Sequence, residues 1–561
     1  MKPGKKLVLG CLLGFVVWMT GCSGKNADLQ QKENVVSESN SKELWEVAAT
    51  TPYGKYPELV EYTLGQMSGE NHSNLPEGDT YEDSAYTRYL RKMLNIQNKN
   101  IYMENESIYN EFLNVIVKER ELPDILVISD RERLEELVKK DLVEDLTEVY
   151  ELCASDRIKE MYNSYGDELL KTGMFDGKLM ALPETVIDHG PCFLWLRKDW
   201  MEQLGLKEPK SWEEAIEIIK VFQENKMGAT GQEDPVGLVC DIDLVGTTSS
   251  NYSADPIFDR YGAHPQKWIN RDGEIIYGSL TEETKQALDY LRELFQIGIL
   301  DKNFVLRAQN NLRDLIIEGK CGAFFGLWWS PNNPLMNAYS SVEGSDWEPY
   351  YFPIEKEDDV IVYDNFRDNK YVVVRKGYEH PEILMKIINV LFDYTRYDAE
   401  DTEELDEYFA INVDPTARPL VINVDYNEAT YKVTENIQKA LNGELSSEKL
   451  SAIERPYYDA CKEYLAQKEN AEEEAWAAYK SRISAISLLL KAKYEAKERN
   501  YLKGETIDIP QNLKRLEKNA FIEIIMGRKP IDYFDTFVQE WYAQGGKELT
   551  EKMNGKGGEG K

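Results

Sequence analysis

A chain of 561 residues with 42% apolar side chains, 34 Tyr and 11 Trp has the material for two or three folded units with sizeable cores. Its formal charge of −34 excludes nucleic-acid binding, because the phosphate backbone demands Lys and Arg, and suits an exposed protein with a solvated acidic face. The four histidines (His72, His189, His264, His380) form no H-E-x-x-H, and no G-x-S-x-G, Walker A or G-x-G-x-x-G stretch occurs, so hydrolase, zinc and nucleotide chemistries lack a foundation.

Residues 1–22 read as a targeting segment. Lys2, Lys5 and Lys6 form a basic start, Leu7 to Trp18 an apolar run too short to span a membrane comfortably, and Met19-Thr20-Gly21-Cys22 resembles a lipobox whose Cys22 thiol accepts a lipid. Residues 23–52 are polar and expected to be a disordered tether. Five cysteines remain after Cys11 and Cys22, namely Cys153, Cys192, Cys240, Cys321 and Cys461; their wide spacing without C-x-x-C predicts buried thiols, not a zinc site or a disulfide framework.

Folding is expected to begin with a strand over 59–64, then helices over 86–94 and 108–117, the second burying Ile108, Phe112, Val115 and Ile116. Leu122 to Asp130 reads as a buried strand followed by a helix over 133–139. Ser129, Asp130 and Arg131 thus stand at the carboxyl end of a strand, where open α/β sheets bind ligands, although Ser129 or Asp130 could equally cap the helix. Leu179–Pro183 and Phe193–Arg197 are short apolar strands; Ser211 caps a helix whose Ala215, Ile218, Ile219 and Phe222 share one face. Further on come a strand over 235–239, a hairpin turn at Asp272-Gly273, a helix capped by Thr281, an apolar strand over 321–327 that runs into Trp328-Trp329-Ser330-Pro331-Asn332-Asn333, a strand over 371–374 and a largely helical 431–500.

G-K-x-x-A-L-P at Gly177–Pro183, W-x-R-K-D-W at Trp195–Trp200, L-G-L-x-x-P-K-S-W at Leu204–Trp212 and L-P-D-I at Leu122–Ile125, in their order along the chain, resemble the extracellular solute-binding proteins (family 1, lipoprotein oligosaccharide-binding branch) of bacterial carbohydrate ABC importers. The resemblance covers residues 57–550. It implies an α/β, two-lobed, periplasmic-binding-protein-like (type II) fold with an interlobe cleft and hinge crossings: residues 53–187 plus about 360–425 as lobe 1, 188–359 plus about 426–554 as lobe 2 with a helical C-terminal region, and 555–561 as a disordered tail. Residues 187–190 would form the hinge and the cleft floor.

The function so implied is that of a lipid-anchored, monomeric binder that captures an oligosaccharide by hinge closure and delivers it to the permease, at the outer face of a Gram-positive cell membrane. Asp130 and Arg131 from one lobe, Asp188 at the joint, and Tyr252, Trp328 and Trp329 from the other are the expected ligand-binding residues, since aromatic planes match pyranose faces and charged groups match hydroxyls. Each Trp taken singly is more often core. Many members carry a calcium loop after the helix that ends near Phe222, but Gln223–Asp234 here retains too few hard oxygens, so no calcium is expected in that loop, and no catalytic residue or cofactor elsewhere. The alternatives are a peptide or other solute binder on the same fold and a surface carbohydrate-active enzyme; with 100 Asp and Glu, some carboxylates must lie at the roughly 5–10 Å used by glycosidases, so abundance alone argues for nothing.

Overall fold

The computed structural model describes residues 42–129, 131–166, 168–185, 192–228, 235–245, 251–307, 309–351, 361–364, 370–399, 401–411, 413–495, 501–503, 507 and 509–556. Cys22, Asp130, Asp188, most of the expected tether, part of the calcium-loop stretch and residues 557–561 lie outside these.

The first lobe is built on a five-stranded sheet in the order Ile96–Asn105, Val60–Ser68, Ile125–Ile128, Tyr371–Val374, Leu182–Pro183. The first three strands are parallel, and Tyr371–Val374 runs against both of its neighbours. Every residue of Ile125–Ile128 and Tyr371–Val374 is buried. Because successive side chains of a strand point to opposite faces, Ile125, Val127, Val372 and Val374 enter one core with the helices Ala85–Leu94 and Glu382–Ile388, while Leu126, Ile128, Tyr371 and Val373 enter another with Glu106–Glu119 and Arg131–Lys139. Helix Glu106–Glu119 is rotated from the expected face: it buries Tyr109, Leu113, Ile116 and Val117, whereas Ile108 and Val115 are exposed. The Tyr109 hydroxyl, which donates to the Val127 carbonyl at 2.9 Å, selects that rotation.

The second lobe repeats the plan with a sheet in the order Trp347–Tyr350, Phe193–Arg197, Cys321–Gly326, Val236–Val239. Leu194, Leu196, Ala323 and Phe325 face the helices Trp212–Glu224, Glu282–Gln296, Gln511–Ile525 and Tyr533–Trp541. Phe193, Trp195, Val239 and Phe324 face the opposite way, against Gln309–Ile317, Met336–Ser341 and the segment from Trp476 to Leu490. Ser211 caps its helix by accepting the Glu214 amide at 3.3 Å, and Glu214 reaches back to the Lys210 amide at 2.8 Å. The hairpin Trp268–Arg271/Glu274–Tyr277 turns through Asp272 and Gly273, both at positive φ (54° and 88°), as a two-residue hairpin turn of the primed type requires.

Two expected boundaries move. The tether ends before residue 52, because 42–50 is a helix whose Ala48 is fully buried in the first lobe and whose Trp45 stacks on His380 at 5.5 Å. The return to the first lobe comes after residue 364, since Ile361–Asp364 still pairs with Trp268–Arg271 and with Tyr501–Lys503 in a second-lobe sheet. All five cysteines beyond the signal are free thiols; burial pushes Cys153 up to about 11 and Cys461 to about 12.

Buried charge pins the helical region to the second sheet. Lys480, 2% exposed, donates to Asp346 at 2.9 Å and Glu348 at 2.6 Å, and Asp346 also accepts the Trp476 indole N–H at 2.9 Å. Burial alone would favour neutral Lys480, but the two carboxylates hold its pKa above the ordinary lysine value. Lys480→Met would leave Glu348 without its cation and Asp346 with Lys198 alone, at 3.2 Å, so we expect a stability loss of about 3 kcal/mol in chemical denaturation; a change under about 1 kcal/mol would show the pin to be dispensable.

Glu517 is the opposite case. It is 2% exposed beside Tyr277, Ser279 and Gln266, yet neither carboxylate oxygen makes a well-formed hydrogen bond. Burial pushes its pKa from 4.5 up to about 7, against the smaller lowering from those neighbours. The folded chain therefore keeps a proton that the unfolded chain releases between pH 4.5 and 7, so this contribution is fully present below pH 4.5 and is lost as pH rises to 7. The melting temperature should fall from pH 5 to pH 8, and Glu517→Gln should flatten that fall and raise Tm at pH 8; an unchanged slope in the variant would contradict the assignment.

Candidate functional site

The strand registers define which ends of the two sheets meet. In the first lobe Tyr371 lies opposite both Ile128 and Pro183, so the carboxyl ends of Ile125–Ile128 and Leu182–Pro183 share an edge with the start of Tyr371–Val374. In the second, Phe193 pairs with Gly326 and Leu194 with Tyr350, so the start of Phe193–Arg197 shares an edge with the ends of Cys321–Gly326 and Trp347–Tyr350. Two of the passages between the lobes, from 183 to 193 and from 350 to 371, start and finish at these edges. The interlobe cleft opens between them.

On the first edge, Ser129 donates to Asn110 at 2.9 Å, and the Arg131 guanidinium lies 4.1 Å from the Phe175 ring centroid with Glu135 3.6 Å from its Nε. Arg131 is thus braced within its own lobe. Asp130 and Asp188 fall outside the described residues. At the crossing, Thr185 donates its amide to the Asn423 carbonyl at 2.8 Å, and Glu184 accepts the Asn423 amide at 3.1 Å.

On the second edge, Tyr252 is buried, holds a positive φ of 73° and packs at 5.7 Å against Phe324, while its amide donates to the Phe325 carbonyl at 2.7 Å. Trp328 is 7% exposed and belongs to the core on that face; Trp329 is half-buried at its margin. Strand alternation does not separate the two rings, because the strand has ended at Gly326 and the Ser330 amide closes a turn on the Leu327 carbonyl at 3.0 Å. The turn, not the pleat, sets their different depths.

Residues that the sequence did not single out hold this loop. Asn251, 8% exposed, accepts the Leu327 amide at 3.1 Å and the Ser330 hydroxyl at 3.0 Å and donates to the Asn333 carbonyl at 3.3 Å. Arg482, from the helical region, places its guanidinium 4.6 Å from Trp328 and 4.2 Å from Tyr457. An Asn in a polar loop and an Arg some 150 positions away carry no local signal; only the helical region's docking brings Arg482 here. Among the described residues no His, Cys, Asp and Glu cluster could hold a metal ion, and no helix is long and apolar enough to cross a membrane.

The fold is the two-lobed one of solute-binding proteins, and several of the chain's relatives by sequence are named as sugar- or polysaccharide-binding proteins. The polygalacturonan/rhamnogalacturonan-binding protein YtcQ of Bacillus subtilis is 30% identical over 131 residues, 23% of this chain and 25% of that one. Lipoprotein LipO of the same organism is 26% identical over 220 residues, 39% and 41% of the two chains. The matched stretches therefore span a quarter to two-fifths of these relatives' length. Among solved structures, the Streptococcus pneumoniae ABC-transporter substrate-binding protein FusA, an EF-hand mutant in complex with fructo-nystose, superposes with a TM-score of 0.55 at 15% identity, covering 90% of this chain and 99% of that one. No family model matches the chain.

The different depths of the paired rings lead to separable effects. Trp328→Ala should lower stability by about 3–5 kcal/mol, because it empties a core position and unstacks Arg482. Trp329→Ala should leave Tm within a few degrees. Thermal melts of the two variants side by side check this, and equal losses would contradict it.

Proposed function

We propose that the chain is the substrate-binding component of an ABC importer, taking an oligosaccharide between the lobes and handing it to a permease. The observation that carries this reading is the pair of sheet edges joined by these two passages, with an aromatic and amide loop, Trp328–Asn333, fixed on one of them by Asn251. Such a groove offers ring faces for pyranose stacking and fixed donors and acceptors for hydroxyls. The relatives' names support the sugar class, and their sugars differ, so the names do not choose one. Trp329 is the stacking candidate, with Arg131, Asp130 and Asp188 as polar contacts and Trp328 and Tyr252 as the packed support beneath. Closure of the lobes on the ligand would shift the balance between open and closed forms, by as much as the ligand binds the closed form better. The chain acts as a binder and not as an enzyme in this reading, and it is monomeric.

A thermal-shift panel of oligosaccharides against peptides tests the class, with mass spectrometry of the recovered ligand. A sugar should raise Tm and return intact; a peptide that does so instead, or a cleaved sugar, would select the other functions. Trp329→Ala should weaken the sugar that binds by about 10-fold or more in calorimetry, since losing an anchor ring can cost about 2 kcal/mol. Unaltered affinity would remove Trp329 from the site.

Anchoring is proposed through Cys22, which follows the lipobox-like Met19–Gly21; LipO's description as a lipoprotein supports it. Cys22→Ala should release the folded protein into the culture medium, placing the native chain at the outer membrane face. Retention of the variant on membranes would refute the lipid anchor.

A further inference from the structure

We infer that the ligand carries carboxylate groups, an acidic oligosaccharide of uronate type, and that Arg482 receives one of them. The inference rests on the sugar-binding reading above and narrows it.

In a chain of charge −34, acids are plentiful and guanidinium groups near the cleft are mostly claimed. At the crossing Arg396 pairs with Asp425, and on the first edge Arg131 has Glu135 3.6 Å away; at the far ends of the two sheets Arg375 pairs with Asp124 and Arg197 with Asp199, each at 2.6 Å. Arg482 differs: it forms no ion pair or hydrogen bond with any described residue, and its Nε is buried without an acceptor. The rings of Trp328 and Tyr457 lie 4.6 and 4.2 Å from its guanidinium carbon. Neither ring supplies an acceptor, and with Nε buried the two terminal N–H₂ groups are the end that can grip a carboxylate through two parallel hydrogen bonds. A half-buried cation that has given up water without gaining an anion is costly, and an arriving carboxylate removes that cost.

A second arginine points to the same chemistry from the first lobe. Arg418 is 9% exposed, donates to Asn423 at 3.1 Å and lies 5.4 Å from the Phe392 ring, with no carboxylate in ion-pair reach among the described residues. Asn423 is the residue whose carbonyl receives Thr185 at the crossing, which puts Arg418 beside the cleft joint. Neutral sugars have no use for a guanidinium held in this way.

The test compares wild type, Arg482→Gln and Arg482→Lys by calorimetry on short oligogalacturonates and oligomannuronates, their methyl esters, neutral oligosaccharides of equal length, and sodium acetate. Wild type should bind at least one uronate series about 10-fold or more tighter than its ester, with no saturable binding of acetate. In Arg482→Gln the acid-to-ester ratio should fall by about 10-fold, and Arg482→Lys, which keeps charge without the planar fork, should recover part of it. Melting curves identify any variant that fails to fold; the wild-type ratio then decides alone. Equal affinity for acid and ester in wild type, a neutral oligosaccharide as the tightest ligand, or an unchanged ratio in Arg482→Gln would overturn the inference and leave the sugar-binding reading standing. Acetate competing with the uronate at millimolar concentration would reduce the site to an adventitious anion contact and overturn it too. Absence of binding by every sugar would overturn both.

Discussion

Burial of Phe193–Arg197 on both faces is the constraint from which the second lobe follows. A strand whose five residues are all withdrawn from water must be covered twice, and its neighbour Cys321–Gly326 makes the same demand. One face receives helices from the body of the lobe. The other receives Trp476 to Leu490, far along the chain, and the buried Lys480 locks that segment in register by bonding Asp346 and Glu348 near the opposite end of the sheet from the cleft. Once Lys480 is fixed, the next half-turn delivers Arg482 to Trp328 without further instruction.

The same division of labour governs charge. Acidic side chains dominate the surface, where solvent screens them and they contribute little to stability individually. Inside, cations are held in two ways: Lys386, fully buried, donates to the Thr51 and Gly54 carbonyls and burial lowers its pKa to about 8, whereas Arg375 completes the set around Asp124, whose burial would raise its pKa but whose bonds to the Thr63 amide and hydroxyl and to Arg375 hold it below the usual range. Against that pattern Arg418 stands out, since burial pulls its pKa below the ordinary arginine value with no acid to oppose it.

Periodicity made most elements of the fold legible. Phe193–Arg197, Tyr371–Val374, the helix after Ser211 and the Asp272-Gly273 turn were readable because each depends on its own residues: alternation, a cap, a positive φ. Helix Glu106–Glu119 was misread in rotation because Tyr109 scores poorly as a core residue until its hydroxyl finds Val127. The helix at 42–50 was missed because its polar residues resemble a tether and only contact with His380 and the first core reveals Trp45 and Ala48 as anchors. For the candidate site the limit is sharper. The Trp pair could be seen, but not that a turn would sink one ring and lift the other, nor that Asn251 and Arg482 would converge on them.

That convergence also bears on how the lobes move. Helix Glu454–Gln467, which carries Tyr457, packs on helix Glu403–Ala410 of the first lobe, and the Ile453 amide just before it reaches the Arg396 carbonyl at 3.4 Å. The same helix packs on Glu473–Tyr479 of the helical region, and through Tyr457 on Arg482. It therefore belongs to neither lobe alone. Closure of the lobes, as proposed above, must be absorbed at one of this helix's two contacts. This helix packs Cys461 with Ile437 and Ala478, and Tyr464 on the second-lobe core, which ties it to that lobe and leaves its junction with Glu403–Ala410 to take up motion in the proposed closure. Arg482 and Tyr457 then travel with the second lobe as one unit. A ligand group that engages Arg482 while its neighbouring sugar meets the first-lobe edge bridges the two bodies at the contact where they slide, which is where binding free energy is best converted into closure.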